Sequence, residues 1–95
     1  MKKTDLKNFK LPEAPGVYFF KDGKGKILYI GKATNLKDRV TSYFGKDIIN
    51  TRGVHILDMV TRSEKIAWEE TGGVLEAIML EVNAINKWKP YYKTK

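Results

Sequence analysis

The chain switches between two hydrophobic rhythms. GVYFF (Gly16 to Phe20) and ILYIG (Ile27 to Gly31) are short, almost uninterrupted apolar runs, the pattern of buried strands. Between them lies KDGKGK, which is turn chemistry, so the two runs read as an antiparallel hairpin with a charged loop. Gly31 ends the second strand and allows a sharp bend or a close backbone approach to a ligand. A third run, EKIAWEET, alternates Ile66, Trp68 and Glu70 with Lys65, Ala67 and Glu69, the period of two that marks a strand.

Elsewhere the rhythm is helical. In TNLKDRVTSYF, Leu36, Val40, Tyr43 and Phe44 recur at helical spacing. Asn35 is a good N-cap and Asp38 is placed to complete a capping-box-like start, so a helix is expected over about 35–44, ending near Gly45. NTRGVHILDMVTRS reads as a second helix with Val54, Leu57 and Val60 on one face, weakened at Gly53 by roughly 1 kcal/mol relative to alanine. The clearest helix is VLEAIMLEVNAINKWK, where Leu75, Ile78, Met79, Val82 and Ile85 form an apolar stripe and Pro90 ends the element. Residues 1–15 are lysine-rich and close with LPEAPG. Two prolines there predict an extended lead-in rather than a helix, flexible over 1–12. The predicted order is β-β-α-α-β-α: an α+β fold, with a small three-stranded antiparallel sheet flanked by helices, as one domain over 1–95.

Composition narrows the function. No cysteine is present, which excludes a disulfide framework and a thiolate metal site. No apolar run approaches the roughly 20 residues that span a bilayer, and the basic N-terminus has no apolar stretch behind it, unlike a secretory signal. A soluble cytoplasmic protein is expected. Eighteen Lys and Arg against eleven Asp and Glu give a net charge of +7. A small basic domain suits a polyanionic partner, because each phosphate contact releases counterions; the same lysines also serve plain solubility.

Conventional nucleophiles are poorly supported. His55 is the only histidine and has no matching Ser or Asp motif; it reads as a surface or packing residue. No GxSxG elbow or P-loop occurs. Lys32 and Arg39 straddle the turn from second strand to first helix, placing a point charge and a planar fork where a phosphate could sit. Tyr43 lies one helical turn past Arg39, so their side chains can meet. On the last helix, at about 100° per residue, Glu76 and Glu81 fall on opposite flanks of the apolar stripe, each half-buried at most, and geometry alone does not choose between them. A carboxylate among apolar neighbours is costly unless something binds it, and Mg²⁺ is commonly held by one or two carboxylates with waters and substrate phosphate.

The segments GVYFF, YIGKA, LKDRVTSYF and LEVNAINKWKPYY, in this order, resemble the GIY-YIG nuclease superfamily. Within it, they are most similar to the repair-type branch, the N-terminal 3′-incision domains of the UvrC subunits of bacterial excinucleases. The likeness covers about residues 10–93.

The resemblance implies a metal-dependent DNA endonuclease of nucleotide excision repair and the SOS response, using one Mg²⁺ or Mn²⁺. Tyr18 matches the family's proposed general base, and Tyr29 the tyrosine that hydrogen-bonds near the scissile phosphate. Gly31 permits close backbone approach. Lys32 and Arg39 stabilise charge on the phosphate, Tyr43 is a further active-site aromatic, and Glu81, not Glu76, is the metal ligand. Gly31, Lys32, Lys37, Arg39 and Lys93 are the implied DNA contacts. A phenol with a pKa near about 10 is a poor base at neutral pH; Tyr18 must be depressed by a nearby cation and the lysine, or must only relay a proton. All of this requires two phenols, a guanidinium and a carboxylate to converge on one pocket. One departure stands out: repair-type members carry asparagine after the RPxY segment, where this chain has Lys93. The implied protein is a monomer whose partners are DNA and further excinuclease subunits or domains outside this chain. Two alternatives remain: a free-standing endonuclease acting on branched or mobile-element DNA, and a catalytically weak DNA-binding module.

Overall fold

In the computed structural model of the chain, which describes residues 1–92, three antiparallel strands form one sheet. Strand β1 spans Gly16–Lys21, β2 Ile27–Ala33 and β3 Lys65–Glu70, and their order across the sheet is β2-β1-β3. Tyr18 stands opposite Gly31 and Trp68, and Phe20 opposite Tyr29 and Ile66. Side chains alternate along a strand. Tyr18, Phe20, Tyr29, Ile66 and Trp68 therefore share one face, while Val17, Phe19, Ile30 and Lys32 belong to the other. The hairpin turn is tied by Asp22, whose carboxylate accepts from the N–H groups of Lys24 and Lys26, both at 2.9 Å. Gly25, at φ 86°, takes the left-handed conformation that the turn requires.

The first face is covered by helix α1 (Leu36–Thr41), which tightens into a 3-10 turn at Ser42–Phe44, then by α2 (Ile48–Arg52) and α3 (Val54–Arg62). Leu36, Val40, Tyr43, Met59 and Val60 bury themselves there against Tyr18 and Phe20. Asn35 caps α1 as expected, accepting from the Asp38 N–H at 3.1 Å. The predicted second helix is instead two, broken where Gly53 adopts φ 88°. Its expected apolar face holds in part: Val60 is buried and Leu57 packs against the core, whereas Val54 is 69% exposed and Met59 is buried although it lies outside that expected face.

The second face is covered by α4 (Val74–Trp88), whose length matches the sequence reading and whose orientation does not. Leu75, Ile78, Met79 and Val82, four residues of the predicted stripe, are exposed to solvent. The face turned to the sheet is Ala77, Leu80, Glu81 and Ala84: Ala77, Leu80 and Ala84 pack with Val17 and Ile30, joined by Ile85 of the predicted stripe, and Glu81 is buried beside them. Positions i, i+3, i+4 and i+7 describe both sets, and the one that carries two alanines faces the sheet.

The lead-in also departs from expectation. Lys3–Asn8 form a 3-10 helix, and Leu6, Phe9 and Leu11 pack against the core. Phe9 meets Trp68 edge-on with ring centroids 6.4 Å apart. The N-terminal ammonium donates to the carbonyls of Val60 and Thr61 at 3.1 and 3.3 Å, at the C-terminal end of α3, where the helix dipole favours a cation. Further on, the carbonyls of Ala14 and Pro12 accept from the N–H groups of Leu36 and Lys37, donors that the first turn of α1 would otherwise leave unpaired. At the other end of the chain, the Tyr92 N–H donates to the Leu28 carbonyl at 2.8 Å, which covers the outer edge of β2. Among the described residues no helix is long and apolar enough to cross a membrane.

Candidate active site

Three phenols meet on the first face of the sheet. Tyr18 comes from the central strand, Tyr29 from the edge strand and Tyr43 from the turn after α1. Their ring centroids are 5.7 Å (Tyr18 to Tyr43), 6.2 Å (Tyr29 to Tyr43) and 6.5 Å (Tyr18 to Tyr29) apart. The hydroxyls of Tyr18 and Tyr43 share a hydrogen bond of 2.5 Å. Both rings are 1% exposed, whereas Tyr29 keeps 7% and lines an open groove. The strand platform thus holds two phenols on one face.

Gly31 makes this arrangement possible. It sits directly across from Tyr18, and a Cβ there would occupy the space of the Tyr18 hydroxyl and the ring carbon that bears it. Two guanidiniums flank Tyr43. Arg39 lies 5.9 Å from the ring centroid, as the helical spacing predicted. Arg52 lies closer, at 4.4 Å, and its Nη2 donates to the Ser42 hydroxyl at 3.1 Å. Sequence reasoning missed Arg52; its only signal was a charge shared with many other basic residues.

Lys32 and Glu81 form a second group on the opposite face. The Lys32 ammonium is 3.5 Å from Glu81 Oε1, with the lysine side chain 48% and the glutamate side chain 9% exposed. Glu81 is buried and Glu76 is exposed, so the expectation that each is half-buried at most gives way to a clear asymmetry. Phenols and Arg39 stand on one side of β2, Glu81 and Lys32 on the other, because successive residues Gly31 and Lys32 must face opposite ways. The two groups are neighbours across the backbone of one edge strand. Lys37 is exposed on α1, and Lys93 lies outside the described residues.

Burial dominates the titration of the phenols. It raises the Tyr18 pKa above the ordinary value of 10, with the Tyr43 hydroxyl and the Arg39 guanidinium only partly opposing it. Tyr43 is raised further, by burial first and then by Tyr18. A Tyr18 depressed by cations is therefore not what the free domain contains; a proton relay between two protonated hydroxyls is what its geometry accommodates. The sign of the resulting pH dependence is fixed. Unfolded phenols ionise near pH 10 while these two stay protonated, so their contribution is intact below pH 10 and is lost as pH climbs above it. Each such group steepens the loss by about 1.4 kcal/mol per pH unit. Urea midpoints measured from pH 9 to 11 should fall more steeply for the wild-type protein than for Tyr43→Phe; parallel slopes would refute the assignment.

The carboxylate fits one metal ion. Among the described residues no three His, Asp or Glu side chains gather. Glu81 is a single carboxylate with little solvent around it and a half-exposed lysine that is able to swing away. That donor set suits a hard cation completed by water and substrate oxygens.

Residues 14–94 match the family model of the UvrC-like GIY-YIG domain. The chain belongs to the UvrC-like GIY-YIG family. Its fold superposes on the GIY-YIG N-terminal endonuclease domain of UvrC from Thermotoga maritima, a crystal structure with magnesium as its catalytic divalent cation. The TM-score is 0.81 and the identity 34%, over 99% of this chain and 100% of that one. Similar sequences include the UvrABC system protein C of Methanospirillum hungatei, 45% identical over 82 residues. That of Thermoanaerobacter sp. is 46% identical over 82 residues. Each alignment covers 86% of this chain but only 15% and 13% of the respective relatives. This UvrC-like GIY-YIG domain therefore spans about one seventh of the length of those proteins.

Proposed function

We propose that this domain is a divalent-metal-dependent endonuclease that hydrolyses a phosphodiester bond in DNA, as the 3′-incision domain of nucleotide excision repair. The observation that carries the reading is the pairing of the buried Glu81 carboxylate with Lys32 across one strand backbone from Gly31 and the Tyr18–Tyr43 hydroxyl pair. Glu81 holds Mg²⁺ or Mn²⁺. When bound, the ion supplies Lewis-acid polarisation of the phosphate and steadies the leaving oxygen. Arg39 and Lys32 meet the charge that develops on the phosphate, as preorganised donors do. Tyr29, the phenol open to the groove, orients the attacking water or the phosphate. Tyr18 and Tyr43 hold or pass a proton between their hydroxyls.

In this reading the substrate is DNA, the partners are other components of a UvrABC-type system acting in the SOS response, and the domain works as a cytoplasmic monomer. The likeness to UvrC endonuclease domains supports the substrate and the partners in this reading. Purified protein is expected to nick supercoiled plasmid with Mg²⁺ and to stop when EDTA removes the ion. On a lesion-bearing duplex the cut should fall 3′ of the damage. Preferential cutting of undamaged branched DNA would favour a different substrate, and plasmid binding without any nicking would leave only a DNA-binding module.

A further inference from the structure

A groove of about 820 Å³ opens beside the phenol cluster. Tyr29, Arg52, His55, Ile56, Asp58, Tyr91 and Tyr92 line it. We propose that this groove carries the DNA strand flanking the scissile phosphate, with Arg52 holding the neighbouring phosphate and Tyr91 stacking on an unpaired base. The proposal rests on the reading above that the domain acts on DNA, and it adds a path and two positioning residues.

Continuity is the first argument: Tyr29 belongs both to the phenol cluster and to the groove, and is the one phenol of the three with residual exposure. Arg52 is the second. Its guanidinium rests on the Tyr43 ring and is bonded to Ser42, so a planar fork suited to phosphate is held in place at the active-site end. Third, the carboxylate in the lining is already engaged. Asp58 accepts from the Tyr92 hydroxyl, which in turn accepts from Arg62 Nη1 at 3.0 Å. The acid therefore opposes a polyanion less than its formal charge suggests.

Tyr91 is the fourth. It is 58% exposed, packs edge-on against Tyr92 at 5.0 Å, and has Arg62 at 4.9 Å and Lys26 at 5.3 Å from its ring centroid. An exposed ring braced by a second aromatic and bordered by cations is the composition of a stacking platform for single-stranded nucleic acid. Its backbone pairs with β2 at the Ile27 carbonyl, so the side chain can change without dislodging the segment. A base can stack there only if it has left its partner, so the preferred ligand is single-stranded or locally opened DNA rather than intact duplex.

The test uses a short single-stranded oligonucleotide carrying one 2-aminopurine, in EDTA so that no turnover intervenes. Binding is read by anisotropy and stacking by quenching of the probe. Tyr91→Ala should weaken binding about fivefold to a hundredfold and abolish quenching, while Tyr91→Phe keeps both. Arg52→Gln should weaken binding and reduce the salt slope by about one phosphate contact. Wild-type affinity and quenching in Tyr91→Ala, or a wild-type protein that does not bind the oligonucleotide, would overturn the proposal. Plasmid nicking measured in parallel separates the two readings. Nicking by wild type with no effect of Tyr91→Ala or Arg52→Gln on binding defeats the groove alone. Tyr91-dependent binding without any nicking defeats the nuclease reading and leaves the groove standing.

Discussion

Glu81→Ala is expected to remove Mg²⁺-dependent nicking while leaving the fold in place. The rate should fall by more than about a thousandfold, beyond the 10²–10³ that loss of a single preorganised donor costs. The reason is that among the described residues no group of three or more potential ligands gathers that could take over the ion. Stability should scarcely change. The Lys32 partner is half exposed, and ion pairs of that kind contribute at most about 1 kcal/mol. Removing a poorly solvated carboxylate from the α4 interface also relieves a desolvation cost. The check is a nicking time course beside calorimetric titration with Mn²⁺ and a urea melt. Nicking within tenfold of wild type, or unchanged Mn²⁺ binding, would dismiss Glu81 as the ligand.

Gly31→Ala should be the most disruptive conservative change in the sheet. The added methyl falls on the Tyr18 hydroxyl and its ring carbon, and lies 2.9 Å from Cε1. Tyr18 has nowhere to retreat: its ring is 1% exposed, its hydroxyl is bonded to Tyr43, and Phe20 packs edge-on at 5.9 Å. Overpacking of this kind costs about 1–3 kcal/mol, or a melting point lower by about 4–8 °C for each kcal/mol in a domain of this size. Activity should fall more than stability, since the displaced phenol is part of the site. Tyr18→Phe removes the hydroxyl but not the ring carbon, so the double variant should recover part of the melting temperature. A Gly31→Ala protein as stable as wild type would show that the close approach is not tight.

Much of this was legible without coordinates, and the failures have specific causes. The strands were readable because period-two and continuous apolar runs bounded by turn residues have few other solutions, and Asn35 announced its helix through side-chain chemistry. The last helix was recognised and yet turned the wrong way. Its apolar residues populate more than one face, and hydrophobicity does not rank alanine above leucine for a place against the sheet. Shape decided instead, so Glu81, set between Ala77 and Ala84, was buried rather than half-exposed. Tyr18, Tyr29, Arg39 and Tyr43 were found through family likeness and spacing, and the structure does bring them together. That Lys32 and Glu81 lie across the strand from them follows from alternation, a constraint the likeness does not display. Arg52 was invisible because its partner ring is contributed by another element.

The two alanines of α4 have a consequence for geometry. A helix that meets a sheet through methyl groups lies nearer to it than one that meets it through branched chains. The short reach of a glutamate is then enough to bring its oxygens level with Lys32 at the strand margin. Ala77 and Ala84 act as a spacer gauge: enlarging either would lift the helix axis and carry the carboxylate away from the edge of β2, without altering a single polar atom.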